Sequence, residues 1–156
     1  MVYLGSDHAG FELKESIKEH LKEKGMRYAD MGTDSLKSVD YPDYAVKVAT
    51  ELKNDADKNS FGILVCGTGI GMEISANKVN GIRAALIHDE YTAEFAKAHN
   101  NANIITLGGR TTTSTEAFRY IDKFMSSKYE SGRHENRISK ISSIEKLESV
   151  DKTVKN

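Results

Sequence analysis

Residues 61–72, Phe-Gly-Ile-Leu-Val-Cys-Gly-Thr-Gly-Ile-Gly-Met, constrain this chain more than any other stretch. A short apolar run with β-branched members, bounded by glycine, predicts a strand buried on both faces. The residues from Ile70 to Val79 predict a helix. The glycines at 67, 69 and 71 therefore form a loop at the carboxyl end of a strand and the amino end of a helix. Bare backbone N–H groups and the positive end of a helix attract anions at such a place. Cys66 opens into that field, which puts an activatable sulfur beside an anion-stabilising loop.

The same alternation runs through the rest of the chain. Val2 to Leu4 reads as a strand, broken by Gly5-Ser6-Asp7-His8. Phe11, Leu13, Ile17 and Leu21 give a helix ending near Gly25. Met26 to Met31 is the second strand, followed by a polar connection from Thr33 to Pro42. Asp43 is the expected cap of a helix carrying Tyr44, Val48 and Leu52. Ile82 to His88 and Asn103 to Leu107 are the fourth and fifth strands, with a helix from about Glu90 to Ala98 between them. Ser114 to Ser127 is a helix with Phe118, Ile121, Phe124 and Met125 on its apolar side. The last helix, at about 135–147, carries Ile138, Ile141, Ile144 and Leu147.

Strands alternating with helices imply right-handed crossovers and a parallel sheet covered on both faces. Ligands of such α/β folds collect outside the carboxyl ends of the strands. Asp7-His8, Cys66 with its glycines, His88 and Gly109-Arg110 all fall at that rim. His99-Asn100 is expected to join them by the chain folding back.

A chain of 156 residues suits one domain, here residues 1–149, with 150–156 as a frayed tail. A net charge of −1 gives no general pull toward nucleic acid or an anionic membrane. No apolar run reaches the ~18 residues of a membrane helix, and the amino terminus lacks a charged-then-apolar leader pattern. The single cysteine excludes an internal disulfide and fits a reducing, cytoplasmic setting. The histidines are too scattered along the chain for a recognisable metal motif, so no metal and no cofactor are expected.

Local chemistry leaves alternatives open. The glycine loop departs from the dinucleotide fingerprint, whose third glycine would stand where this chain has Met72. It reads as an oxyanion cradle or as a tight turn. Cys66 reads as a general base, a nucleophile or a small buried hydrophobe. His99, in His-Asn-Asn-Ala-Asn at a helix boundary, reads as a proton-exchanging imidazole or a surface turn residue. Arg133 and Arg137 stand four apart on one helix face beside His134. With Arg110 they could grip a phosphate through forked hydrogen bonds, or form a solvated basic turn. No aromatic interleaving accompanies them, which argues against nucleic acid. A non-catalytic sugar-phosphate or nucleotide sensor is the alternative outside catalysis.

Taken together, Gly5-Ser-Asp-His8, Asp40-Tyr-Pro-Asp43, Cys66-Gly-Thr-Gly-Ile-Gly71, His99-Asn100, Gly109-Arg110 and Gly132-Arg-His-Glu-Asn-Arg137 resemble the type B ribose-5-phosphate isomerases. That family also contains galactose-6-phosphate isomerase subunits, and the likeness runs in order over about residues 2–147. The resemblance implies a Rossmann-like three-layer sandwich with a five-stranded parallel sheet and a C-terminal helix extending to a partner subunit. It implies metal-free interconversion of ribose 5-phosphate and ribulose 5-phosphate, or of a six-carbon sugar phosphate such as allose 6-phosphate or galactose 6-phosphate. It also implies a homodimer, or a tetramer built from it, whose sites contain residues of both chains.

Carried over by position, the resemblance makes Cys66 the base that moves a proton between C2 and C1. The amides of Gly67, Gly69, Ile70 and Gly71 would hold the enediolate oxygen, and His99, helped by Thr68 and Asp7, would open the sugar ring. Tyr41 and Asn100 would bind the sugar. His8, Arg110, Arg133, His134 and Arg137 would hold the phosphate. One branch of the family uses a glutamate where this chain has Met72; here the cysteine is present, and Glu73 is one residue off register.

Overall fold

The computed structural model describes residues 1–153, with side chains described through residue 147. Five strands, β1 (Val2–Ser6), β2 (Tyr28–Asp30), β3 (Phe61–Cys66), β4 (Ala84–Leu86) and β5 (Ile104–Gly108), alternate with helices α1 (Phe11–Glu23), α2 (Tyr41–Asn54), α3 (Ile70–Ala76), α4 (Glu90–Ala98) and α5 (Ser114–Ser126), and a last helix follows, α6 (Arg133–Thr153). The strands are all parallel in the order β2-β1-β3-β5-β4. The central register pairs Ser6 with Val65 and Cys66 with Gly108, so β1, β3 and β5 end level. The turns that follow them open on one edge.

β3 lies in the middle because every residue of it can be buried. Phe61, Ile63 and Val65 meet Leu13, Ile17 and Leu21 of α1, Ala93 and Ala96 of α4, and Ile121 and Phe124 of α5. Leu64 and Cys66 face the other way, onto Val48 and Leu52 of α2 and Met72 and Ala76 of α3. Each large apolar side chain fully removed from water in these layers contributes roughly 1.5–3 kcal/mol. The result is the expected three-layer α/β sandwich of the Rossmann-like kind. No helix among the described residues is long and apolar enough to cross a membrane.

Several boundaries differ from the sequence reading, among them those of β4 and α3, which are shorter than expected, and three further ones bear on the packing. Asp40, not Asp43, is the N-cap residue of α2, and Pro42 sits in the first turn, where its missing N–H leaves no bond unmade. β2 is three residues long, an edge strand held by side chains as well as by its ladder. The ammonium of Lys14, only 1% exposed, bonds the carboxylates of Asp30 and Glu15, and Lys18 reaches Asp30 at 3.0 Å. Finally, α6 runs on to Thr153, because no glycine or proline follows Gly132 to stop it. Residues 150–153 thus continue the helix instead of beginning the expected tail, and 154–156 lie outside the described residues. Ile138 of α6 is buried, whereas Ile144 and Leu147 are 58% and 71% exposed.

Candidate active site

The loop between β3 and α3 is fixed by the residues that follow β5. Gly109 N–H donates to the Cys66 carbonyl at 2.7 Å, and Arg110 N–H to the Gly67 carbonyl at 3.0 Å. Within the loop, Gly69 N–H donates to Cys66 Sγ at 3.2 Å. Gly69 adopts φ +81°, and a Cβ there would lie 2.6 Å from Leu86 Cδ1 and 3.0 Å from the Leu107 carbonyl carbon, so both conformation and space demand glycine. Gly71 is needed for a different reason. A Cβ on it would come within 2.7 Å of the Tyr41 ring, which lies across the loop.

A cavity of about 460 Å³ opens above this loop, lined by Asp7, His8, Tyr41, Cys66, Gly67, Thr68, Ile70, Gly71 and Arg110 together with Ala9 and Ile74. Asp7 is buried and its Oδ1 accepts from the amides of Ala9 and Gly10 at 2.9 and 3.0 Å, which fixes the turn into α1. His8 Nδ1 accepts from Val39 N–H at 3.3 Å, so the neutral ring carries its proton on Nε2. The Arg110 guanidinium lies over Gly67, where a Cβ would stand 3.3 Å from Nη1. One cavity thus joins a sulfur, a row of loop amides, an imidazole donor and a guanidinium. Gly69 sits beneath it with its amide on the sulfur. Ile74, one turn beyond Ile70, was not legible as a lining residue, since its spacing equals that of a core position. Glu73 turns away: its Oε1 accepts from Leu86 N–H at 3.2 Å.

The remaining predicted residues gather elsewhere, and here the sequence reading is corrected. His99 is the C-cap of α4, and a helix that runs back along a parallel sheet ends beside the strand starts. Arg83, just ahead of β4, holds that end, donating from Nε to the Asn100 and Asn101 carbonyls at 3.1 and 3.0 Å. His99-Asn100 therefore lies at the amino rim, the length of β3 away from Cys66. Its six residues span five steps of ~3.3 Å, which puts that length near 17 Å.

Around His99 the start of α6 supplies Arg133, His134 and Arg137. The His99 and His134 rings stack with centroids 4.1 Å apart and planes 12° from parallel. Arg133 Nε donates to His134 Nε2 at 3.5 Å. Burial, then the nearby His99, Arg133 and Arg137, hold the His134 imidazole below its ordinary range, so it is neutral at neutral pH. Glu130 joins the group, with Oε2 at 3.5 Å from His99 Nε2 and 3.9 Å from His134 Nε2. That residue went unnoticed in the sequence, where nothing marks it among other charged residues. His88, also expected at the carboxyl rim, is exposed and pairs with Asp89 at 3.6 Å; it does not line the cavity.

Residues 2–141 match the family described as Ribose/Galactose Isomerase. The chain belongs to that family. A ribose 5-phosphate isomerase from Thermotoga maritima is 52% identical in sequence and superposes with a TM-score of 0.86, covering 91% of this chain and 97% of the other. The ribose-5-phosphate isomerase B of Mycoplasma genitalium, solved with bound ribulose 5-phosphate, is 44% identical, with a TM-score of 0.89 over 93% of this chain and 95% of the other. A protein called a putative sugar phosphate isomerase in Rickettsia typhi is 48% identical over 140 residues, 90% of this chain and 96% of its own. Within the ribose/galactose isomerase family this chain carries cysteine at 66, and its Met72 is wholly buried beneath the loop.

Proposed function

We propose that this chain interconverts ribose 5-phosphate and ribulose 5-phosphate by moving a proton between C2 and C1 through an enediolate. The observation that carries the reading is Cys66: its sulfur lines a cavity shared with Arg110 and His8, and a loop amide already points at it from 3.2 Å. A hydrogen on carbon is a poor acid, so the reaction needs a base beside it and donors for the oxygen that becomes negative. Cys66 supplies the base. The amides of the 67–71 loop other than that of Gly69, which is on the sulfur, supply the donors with Thr68. Arg110 and His8 Nε2–H hold the phosphate at the far end, and that remote anchorage holds the reacting carbons against the sulfur.

The ring-opening group is supplied by a second copy of the chain. His99, Asn100, Arg133, His134 and Arg137 stand too far from Cys66 in one chain, so a complete site needs these residues from a partner, with Asp7 and Thr68 assisting His99 from the first. Tyr41, Ile70 and Ile74, at 40%, 50% and 55% exposed, present an apolar border around the cavity for that partner to cover. The exposed stripe of α6 adds a second face for assembly, as a dimer or as a tetramer of two dimers. A cytoplasmic location fits a phosphorylated substrate and a free thiol.

The deciding measurement is turnover of ribose 5-phosphate against allose 6-phosphate and galactose 6-phosphate, in a chelating buffer, for wild type and Cys66→Ala. The expected result is turnover of the five-carbon sugar by wild type alone. Preferred turnover of a six-carbon phosphate would reassign the substrate. Full activity in Cys66→Ala would remove the cysteine from the chemistry.

A further inference from the structure

We propose that His99, Glu130 and His134 form a binding site for a divalent transition-metal ion of the zinc class, and that an ion held there inhibits the enzyme. The binding half stands on the geometry alone; the inhibition half rests on the role of His99 under Proposed function. The donor atoms of the three side chains all lie within 4.8 Å of one another. Both Nε2 atoms approach the same carboxylate oxygen, at 3.5 and 3.9 Å, so two imidazoles and a carboxylate converge on one point. Zinc takes imidazole nitrogen at ~2.0–2.1 Å and carboxylate oxygen at ~2.0–2.2 Å. Two donors at a tetrahedral angle around such an ion are roughly 3.4 Å apart, which these side chains reach by small rotations.

The backbone holds the three donors together. Glu130 N–H donates to the Ala98 carbonyl at 3.0 Å, which ties the segment before α6 to the end of α4. Ser131 and Gly132, at φ 52° and 56°, then turn the chain back so that His134 lands on the His99 ring. His134 is 8% exposed, so packing already holds its ring in place for ligation. Two features set which ions bind. Arg133 and Arg137 repel any cation, and the Arg133–His134 bond must open, which its 3.5 Å length makes a small loss. Hard ions such as Mg²⁺, attracted chiefly by charge, are therefore rejected, whereas Zn²⁺, Ni²⁺ and Co²⁺ gain enough from imidazole coordination. An ion on His99 ties up the imidazole that ring opening requires.

The test titrates chelator-treated full-length protein with Co²⁺, followed by visible absorption and by calorimetry. Zn²⁺ then competes for the site, with Mg²⁺ as the contrasting ion, and sugar-phosphate turnover is read in parallel. One Co²⁺ per chain, displaced by Zn²⁺ and not by excess Mg²⁺, is expected. Glu130→Gln and Glu130→Ala lie outside the proposed catalytic set and should keep turnover. They should weaken Co²⁺ binding by more than the 10–100-fold that even outer ligand partners cost, and they should lose sensitivity to Zn²⁺. Equal Co²⁺ affinity in wild type and both Glu130 variants would overturn the site. Stoichiometric binding with turnover untouched would overturn the inhibition and count against His99 in catalysis, while leaving Cys66 unaffected.

Discussion

Cys66 closes β3 at the carboxyl rim of the sheet, and His99 caps α4 at the amino rim of the same sheet. On the proposed function, the two halves of the site would come from different copies in a symmetric pair. Two inactive variants should repair each other. Cys66→Ala mixed with His99→Ala, unfolded and refolded together, puts one intact cysteine and one intact histidine into half the sites of each mixed dimer. With random pairing that restores about a quarter of wild-type turnover. Assay of the refolded mixture checks it, and activity no higher than that of the separate variants would rule out sites shared between chains.

Cys66→Ala alone should lower kcat by roughly 10²–10⁴, the range expected when a positioned proton-transfer group is removed. KM should stay within a few-fold, because Arg110 and His8 remain in the cavity. Steady-state kinetics separates the two parameters. A variant that loses binding and keeps kcat would make the sulfur a packing atom.

Arg137→Ala should chiefly raise KM. Its guanidinium is exposed at the start of α6 and its Nη1 lies 3.5 Å from the Arg133 carbonyl, a weak contact whose loss costs the fold little. A charge-assisted hydrogen bond to phosphate contributes about 1.5–3 kcal/mol, so KM should rise about 10–150-fold. An unchanged KM would take Arg137 out of phosphate binding.

Gly71→Ala should destabilise the chain and damage the site together. The new methyl would meet the Tyr41 ring at 2.7 Å, and overpacking of this kind costs about 1–3 kcal/mol. Urea unfolding midpoints measure the loss. Adding Tyr41→Ala should return most of the stability without restoring sugar affinity.

Acid should loosen β2. Asp30 is partly buried, which by itself raises its pKa, yet hydrogen bonds from Lys14, Lys18 and the Gly32 amide outweigh that and hold its carboxyl below the usual carboxylate range. A carboxyl with a depressed folded value stabilises the fold above its unfolded pKa near 4. That contribution is lost as pH falls from there through the folded value. Wild type should thus lose stability steeply below pH ~4, and Asp30→Asn should show a shallower decline from a lower starting point. Denaturant midpoints across pH 2–7 test this. Lys14→Met should cost less than the 3–5 kcal/mol of breaking an isolated buried pair, because Lys18 stays on Asp30 at 3.0 Å.

Much of this was legible because it is local. Phe61–Cys66 declared a central strand by being apolar at both parities, and the glycines after it could only be a turn. The carboxyl-rim residues followed from the rule that parallel strands end together. What failed depended on direction and on distance. His99 sits at a helix end, and which rim a helix end reaches is decided by the whole crossover, not by its neighbours in sequence. The His99–Glu130–His134 group joins residues about thirty positions apart through a left-handed turn at Ser131-Gly132, and no spacing motif signals that. The length of α6 was missed because its apolar repeat stops at Leu147 while the helix continues without a breaker.

The three glycines of the 67–71 loop look alike on paper, yet each is fixed by a different neighbour: the Arg110 guanidinium over Gly67, the β5 backbone behind Gly69, and the Tyr41 ring on Gly71. They should accordingly drift apart in evolution. Alanine at 71 becomes admissible in descendants that have surrendered the aromatic at 41, and alanine at 67 in those with a shorter side chain at 110. Position 69, pressed against main chain that no mutation can trim, has no compensating partner and should be the last of the three to vary.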